Sequence, residues 1–250
     1  MATERPFAPI EAVVFDWYAT LGAPIEDGWW SGLRTLIFDA GGTVDEGAIA
    51  QWQELPIDHL SWSVSEAEYS AWILQRFRTL LVSCAIPDER LDDVVARSEA
   101  IRIAERIEII EGARATIDAL RQSGLAVAVC SNWHWDLDLH LEHNGVRDLF
   151  DLVICSAIVG YRKPHPAIFD LVTAGLGVDP ERILFVGDDL DADIAGAAAA
   201  GMQPVHAGWA IPCRTGHPES VACCTSYDDL LALPMLAEVV GRRDSAPRPA

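Results

Sequence analysis

The amino-acid sequence predicts an α/β fold: a doubly wound parallel sheet with a block of helices inserted after its first strand. Three observations carry that reading. Short apolar runs without alternation stop abruptly at polar or glycine residues, which is how strands buried on both faces of a parallel sheet read. Amphipathic stretches separate those runs, giving the strand–helix alternation of βαβ units. Between about Pro24 and Arg106, helical patterns instead follow one another with no strand-like run among them.

In chain order, the first strand covers 12–15. The inserted block opens with Trp29, Trp30, Leu33, Leu36, Ile37 and Ala40 at helical spacing, and Gly41-Gly42 stops that helix. Further helices are expected over 48–55, over 65–84 with Ser65 as its cap, and over 88–106. The second part alternates. Helices over 112–123, 135–144, 166–175 and 191–201 lie among strands over 125–130, 152–155, 183–186 and, more weakly, 203–206. The helix over 191–201 carries Ala195, Gly196 and four further alanines, small enough for close contact with a sheet. The expected domains are therefore a core of 1–23 and 107–240, a helical cap of 24–106, and an Arg/Pro/Ala-rich flexible tail of 241–250.

A chain of 250 residues fits one large domain or a core with an insertion. Half of it is hydrophobic and 22% is charged, so a full core can form. Eighteen Lys+Arg against 38 Asp+Glu give a net charge of −20. Such a surface repels nucleic-acid backbones, so no nucleic-acid partner is expected. A phosphorylated ligand needs a locally positive site or a metal ion. No apolar run approaches the ~18 residues of a membrane span, and no secretory pattern is visible at the amino terminus. The six cysteines are scattered without CxxC pairs, which reads as reduced thiols of a cytoplasmic protein. Cys213, His217, Cys223 and Cys224 lie close together, but their spacing fits no common zinc module.

Open α/β sheets bind ligands at the carboxyl ends of their strands, and chemistry-bearing residues stand at those positions. The first strand runs into Asp16-Trp17-Tyr18-Ala19-Thr20-Leu21 and the second into Ser131-Asn132. Lys163 sits in Gly160-Tyr161-Arg162-Lys163-Pro164-His165-Pro166. The fourth strand ends in Gly187-Asp188-Asp189, and Asp193 follows. Any one of these alone would read as a cap or a solvated side chain. Four in order, each at a strand end, do not.

These four motifs resemble, in order, those of the haloacid dehalogenase-like hydrolase superfamily, and specifically its members with a helical cap. The block Val159 to Phe169 and the run Phe185-Val186-Gly187-Asp188-Asp189 carry most of the likeness. The resemblance implies a Rossmann-like core with an inserted cap, and a Mg2+-dependent hydrolase of a small phosphorylated metabolite. It implies Asp16 as a carboxylate nucleophile forming an acyl intermediate. Mg2+ would be held by Asp16, Asp188 and the backbone carbonyl of Tyr18, with Asp193 and Asp189 holding its waters or orienting Asp188. Ser131, the Asn132 backbone N–H and Lys163 would clamp the non-transferring oxygens, and Thr20 would orient the nucleophile or the attacking water.

Two features complicate the match. Leu36-Ile37-Phe38-Asp39-Ala40-Gly41-Gly42-Thr43 also resembles the first motif, but Leu36 to Phe38 lie in phase with the helical stripe. Asp16 stands 115 residues before Ser131, room for a helical cap, whereas Asp39 leaves 92. Asp16 is therefore the expected nucleophile. Second, family phosphatases usually carry an acid two residues after the nucleophile, where this chain has Tyr18. The family's metal-independent 2-haloacid dehalogenases carry Tyr there too. That keeps dehalogenation, and a weakened relative acting as a binding protein, as alternatives. The acidic fourth motif favours phosphoryl chemistry. Trp17, Trp133 and Trp135 either pack or line an aromatic pocket, Trp133 and Tyr18 being candidate substrate contacts. Trp52, Trp62 and Trp72 pack within the cap, and His59, His140, His143, His206 and His217 are surface or structural residues.

Overall fold

The computed structural model describes residues 9–25, 28–53, 65–209, 212, 217–218 and 220–240. Cys213, His59, Trp62, Leu55 and the expected tail 241–250 lie outside the described residues. Strands β1 (Ala12–Phe15) and β2 (Gly22–Pro24) precede four helices: α1 (Trp29–Asp39), α2 (Glu46–Gln53), α3 (Glu66–Ser83) and α4 (Asp88–Ala104). Then come β3 (Ile107–Ile109), α5 (Ala113–Gln122), β4 (Ala126–Ser131), α6 (Leu137–His143), β5 (Leu152–Cys155), α7 (Ser156–Val159) and α8 (Pro166–Leu176). The last part holds β6 (Ile183–Gly187), α9 (Gly196–Ala199), β7 (Gln203–Ala207), β8 (Ala222–Cys224), α10 (Tyr227–Leu231) and α11 (Pro234–Val240).

The chain divides into two compact units, Pro24–Glu108 and the remainder. The larger is a six-stranded sheet in the order β5-β4-β1-β6-β7-β8, parallel at every pairing. Every residue of β1 is buried, as strands covered by helices on both faces must be. One face packs Val14, Cys130, Ile154, Phe169, Val172 and Phe185 into a single cluster. Strand order reverses at β1, with β4 and β5 on one side and β6 to β8 on the other, so a crevice opens beyond the ends of β4, β1 and β6. Phe15 pairs with Val129 on one flank and Val186 on the other, which brings Asp16, Ser131 and Gly187 to the same edge.

Three strands have no counterpart in the sequence reading: β2 and β3, which pair with each other, and β8. Each has three residues, too few for any period to show. The helix expected over 191–201 is instead a π-helical turn, Leu190–Ala195, running into α9. The π-helical part is the acidic stretch Leu190–Ala195, in which Asp193 is buried, whereas the small residues Gly196–Ala199 form the regular turn α9.

The smaller unit is helical. Leu33, Leu36 and Ile37 of α1 pack on Phe77, Leu80 and Leu81 of α3 and on Leu91 and Val94 of α4. Trp29, Trp30, Trp52 and Phe77 form one aromatic cluster with neighbouring centroids 4.6 to 6.2 Å apart. The Ser65 hydroxyl accepts from the Glu68 N–H and caps α3. Gly41, at φ +85°, ends the chain's helical course after α1, a conformation that costs glycine nothing.

Gly196 sits where α9 meets α8, and a methyl group there would lie 2.7 and 2.9 Å from the Phe169 ring. Phe169 is fully buried and cannot swing away. Gly196→Ala should therefore cost about 1–3 kcal/mol of stability through overpacking, read from the denaturant midpoint; an unchanged midpoint would mean that the contact yields freely.

Candidate active site

The site forms where β1, β4 and β6 end. Asp16 follows β1, and its N–H donates to the Val186 carbonyl at 2.9 Å, locking it to β6. After Asp16 the backbone turns sharply. Ala19 takes a left-handed φ of +57°, and the Trp17 carbonyl accepts from both the Leu21 and Gly22 N–H groups. A non-glycine residue there stores strain of about 1–2 kcal/mol. Trp17 is fully buried, so it packs rather than lining an open pocket. Tyr18 stays 40% exposed and stacks on Trp133 at 5.9 Å. The Thr20 carbonyl is held by the Tyr227 hydroxyl at 2.6 Å and the Trp209 indole N–H at 3.0 Å.

Lys163 reaches the same point from the loop after α7. Its ammonium is 2.7 Å from an Asp16 oxygen and 2.5 Å from an Asp193 oxygen, with all three side chains buried. The loop is held by an arrangement that sequence reasoning missed. The Asn132 side-chain amide donates to the Lys163 carbonyl at 2.9 Å and accepts from its N–H at 2.8 Å. Asn132 thus grips a backbone with its side chain. Ser131 is buried at the end of β4, in register with Cys155. Ser156, also unremarked in the sequence, exchanges hydrogen bonds with the backbone of Trp133.

Asp193 is brought in by Gly187. A Cβ on Gly187 would lie 2.2 Å from the Asp193 carboxylate, so only glycine lets β6 end against it. Asp193 also accepts from the Asp189 N–H at 3.1 Å. Asp189 itself departs from expectation. One of its carboxylate oxygens accepts from the Asp191 and Ala192 N–H groups, capping the π-helical turn. It is a cap, the ordinary fate of an aspartate at a strand-to-helix junction.

Asp16, Asp188 and Asp193 present oxygens within 4.8 Å of one another, a group that could hold a metal ion. Burial pushes the Asp188 carboxyl up to about 7, with Asp16 and Asp193 adding to the rise. Burial likewise lifts Asp193, although Lys163 pulls it back. Lys163 is firmly protonated: burial alone would lower its pKa, but Asp16 and Asp193 more than reverse that. Three carboxylates and one ammonium leave an excess of negative charge in a desolvated crevice. A hard divalent cation with oxygen ligands fits that imbalance.

Asp39 has no such surroundings. It is the last residue of α1, exposed, and no strand forms over 36–38. Among the cysteines, Cys84, Cys130, Cys155 and Cys224 are free and buried, but Cys223 is disulfide-bonded. That corrects the reading of every thiol as reduced, because folding brings together sulfurs whose sequence spacing signals nothing.

The sequence profile of the haloacid dehalogenase-like hydrolases matches residues 33–201. The chain belongs to that family. The profile begins at Leu33 and so takes in Asp39, while the strand before Asp16 lies outside it. Among curated relatives, a ribulose-1,5-bisphosphate 5-phosphatase of Halopiger xanaduensis is 35% identical over 46% of this chain and 50% of its own length. A glyceraldehyde 3-phosphate phosphatase of Pyrococcus abyssi is 36% identical over 38% of this chain and 41% of its own. The chain thus spans half or less of these relatives. Solved structures share the fold. A HAD phosphatase from Thermococcus onnurineus has a TM-score of 0.60 at 22% identity, covering 90% of this chain and 97% of that one. A 2-haloacid dehalogenase from Pseudomonas syringae has a TM-score of 0.60 at 20%, covering 94% and 99%. No helix among the described residues is long and apolar enough to cross a membrane.

Asp188 carries a testable pH signature. Its folded pKa of about 7 lies above the ordinary carboxylate value of about 3.9. The folded chain therefore keeps a proton that the unfolded chain has released. Stability should fall as pH rises from about 4 to 7, by up to about 1.4 kcal/mol per unit. In metal-free protein, Asp188→Asn should flatten this fall, so that the variant gains on wild type as pH rises in parallel denaturation curves. Parallel profiles would show that burial and its acidic neighbours do not raise the Asp188 carboxyl.

Proposed function

We propose that this family member is a Mg2+-dependent phosphomonoesterase of a small metabolite, with Asp16 as nucleophile. The observation that supports it is the crevice itself: one buried carboxylate, already paired with a buried ammonium, beside two more carboxylates of raised pKa. On this reading Asp16 attacks phosphorus, the ester oxygen leaves, and an aspartyl-phosphate forms. Water then attacks that phosphorus, releasing phosphate and restoring the carboxylate. Lys163, Ser131 and the Asn132 N–H would hold the non-transferring oxygens as charge develops on them. Lys163 would also hold the Asp16 carboxylate in place through its 2.7 Å contact. Thr20, its backbone fixed by Tyr227 and Trp209, would place its hydroxyl beside the nucleophile or the water.

Asp16, Asp188 and the Tyr18 carbonyl would ligate Mg2+, with Asp193 steadying them through Lys163 and the Asp189 N–H. When bound, the ion supplies the neutralisation that lets an anionic carboxylate approach an anionic phosphoryl group. The phosphatase names of the sequence relatives point the same way, as does a structural neighbour from Bacillus subtilis solved with bound magnesium. The phosphorylated metabolite is the expected partner and the cytoplasm the proposed location.

The dehalogenase reading keeps one observation in its favour, Tyr18 at the exposed rim beside Trp133. Against it stands the excess acidity of the site, which chemistry without a metal does not need. Asp16→Asn should lower p-nitrophenyl phosphate hydrolysis on the order of 10⁴-fold or more while the fold survives. Asp39→Asn should leave it unchanged, and EDTA should abolish it until Mg2+ is restored. Turnover of chloroacetate that survives EDTA, with no phosphatase activity, would move the protein to the dehalogenases.

Tyr18 stands where an acid would protonate the leaving group, so aryl phosphates should react much faster than alkyl phosphates. Losing a general acid costs about 10²–10⁴-fold, and a good leaving group avoids most of it. Tyr18→Asp should then raise alkyl phosphate turnover ~10-fold or more relative to the aryl ester, with circular dichroism confirming an intact fold. Equal gains for both esters, or none, would place the proton donor elsewhere.

A further inference from the structure

A second cluster of ligating side chains lies behind the crevice, at the ends of β7 and β8. His206 is 2% exposed and belongs to β7. Its ring stacks on His217 with centroids 5.1 Å apart and 19° between planes. His206, His217 and Cys223 each offer a ligand atom, and these atoms lie within 4.8 Å of one another.

The hydrogen bonding of His206 determines what it can do. Its Nε2 lies 3.0 Å from the Asp188 carbonyl oxygen. A carbonyl only accepts, so Nε2 must carry the proton and donate. Burial lowers the pKa of His206, which keeps the ring neutral. Nδ1 is then a bare lone pair, and it is buried with no hydrogen-bond partner. The His217 Nε2 is likewise buried without a partner. Two unsatisfied imidazole nitrogens cost free energy unless something fills them. A neutral imidazole with its other N–H tied to a backbone carbonyl is the arrangement of a metal-bound histidine.

We propose that the reduced chain binds Zn2+ through His206 Nδ1, His217 Nε2 and the Cys223 thiolate. Two nitrogens and one thiolate suit a borderline-soft divalent ion and disfavour Mg2+. Zinc bonds of about 2.0–2.3 Å place tetrahedral donors ~3.3–3.8 Å apart, so the cluster needs only to draw in slightly. Cys223 is disulfide-bonded and must first be freed. A dithiol or a phosphine supplies two electrons, two protons give two thiols, and Zn2+ then displaces the proton of Cys223. The bound ion would hold the His206 ring, and through its Nε2–H the Asp188 carbonyl, so that this site braces the acidic cluster from behind.

The test uses the full chain reduced with a phosphine, loaded with ZnCl2 and gel-filtered in excess Mg2+. Metal analysis should find about one Zn2+ per chain. His217→Ala and Cys223→Ser should each lose it, whereas Asp16→Asn and Cys224→Ser should keep it. With Co2+ in place of Zn2+, wild type should show a thiolate-to-cobalt charge-transfer band that Cys223→Ser lacks; melting curves check that each variant folds. The Cys223→Ser spectrum alone decides the matter if His217→Ala is unfolded. Zinc lost in Asp16→Asn and kept in Cys223→Ser would assign the ion to the acidic crevice and overturn the proposal. So would reduced wild type that retains no zinc. Neither outcome bears on Asp16 as nucleophile, which the phosphatase assay tests separately.

Discussion

The buried pairing of Lys163 with Asp16 and Asp193 is the constraint on which the rest of the site depends. Burying any of these charges alone would cost several kcal/mol, so the three must arrive together. Each comes from a different part of the chain: the end of β1, the loop after α7, and the π-helical turn after β6. The parallel register of β1 with β4 and β6 brings those ends level. Asn132 then fixes the height of the Lys163 backbone, and Gly187 removes the side chain that would keep Asp193 out. The interaction is thus both a product of the fold and a check on it, since a slip in any of the three elements would strand a charge in the core.

On the proposed reading, the same pairing explains how a chain of net charge −20 would offer a home to a phosphate. Long-range attraction is unavailable, so the site would rely on one fully buried ammonium and on a cation held by the excess carboxylates. Lys163 alone does not balance Asp16, Asp188 and Asp193; the Asp188 carboxyl is raised first by its burial and further by Asp16 and Asp193. Desolvation sharpens both effects, because a low local dielectric magnifies attraction and repulsion alike.

Much of this was legible in the sequence, for identifiable reasons. Strands covered on both faces leave unbroken apolar runs, so β1, β4, β5, β6 and β7 could be read to within a residue or two. The candidate functional side chains stand at strand ends, where an abrupt change from apolar to polar marks them. The helical phase of Trp29 to Ala40 separated Asp39 from a strand context, a distinction that a profile beginning at Leu33 does not draw. What escaped was tertiary. β2, β3 and β8 are held by partners rather than by pattern. The side-chain grip of Asn132 on Lys163 spans 31 residues, and the cap made by Asp189 looks identical in sequence to a ligand. His206 read as an ordinary histidine because nothing local shows that its Nδ1 would be left without a donor.

The central claim is that phosphoryl groups pass through Asp16. Rapid acid quenching during turnover of a ³²P-labelled phosphomonoester, followed by proteolysis and peptide sequencing, tests it most directly. The account predicts an acid-stable, hydroxylamine-labile label on the peptide that contains Asp16. Label on the Asp39 peptide, or turnover with no labelled peptide at any quench time, would contradict it.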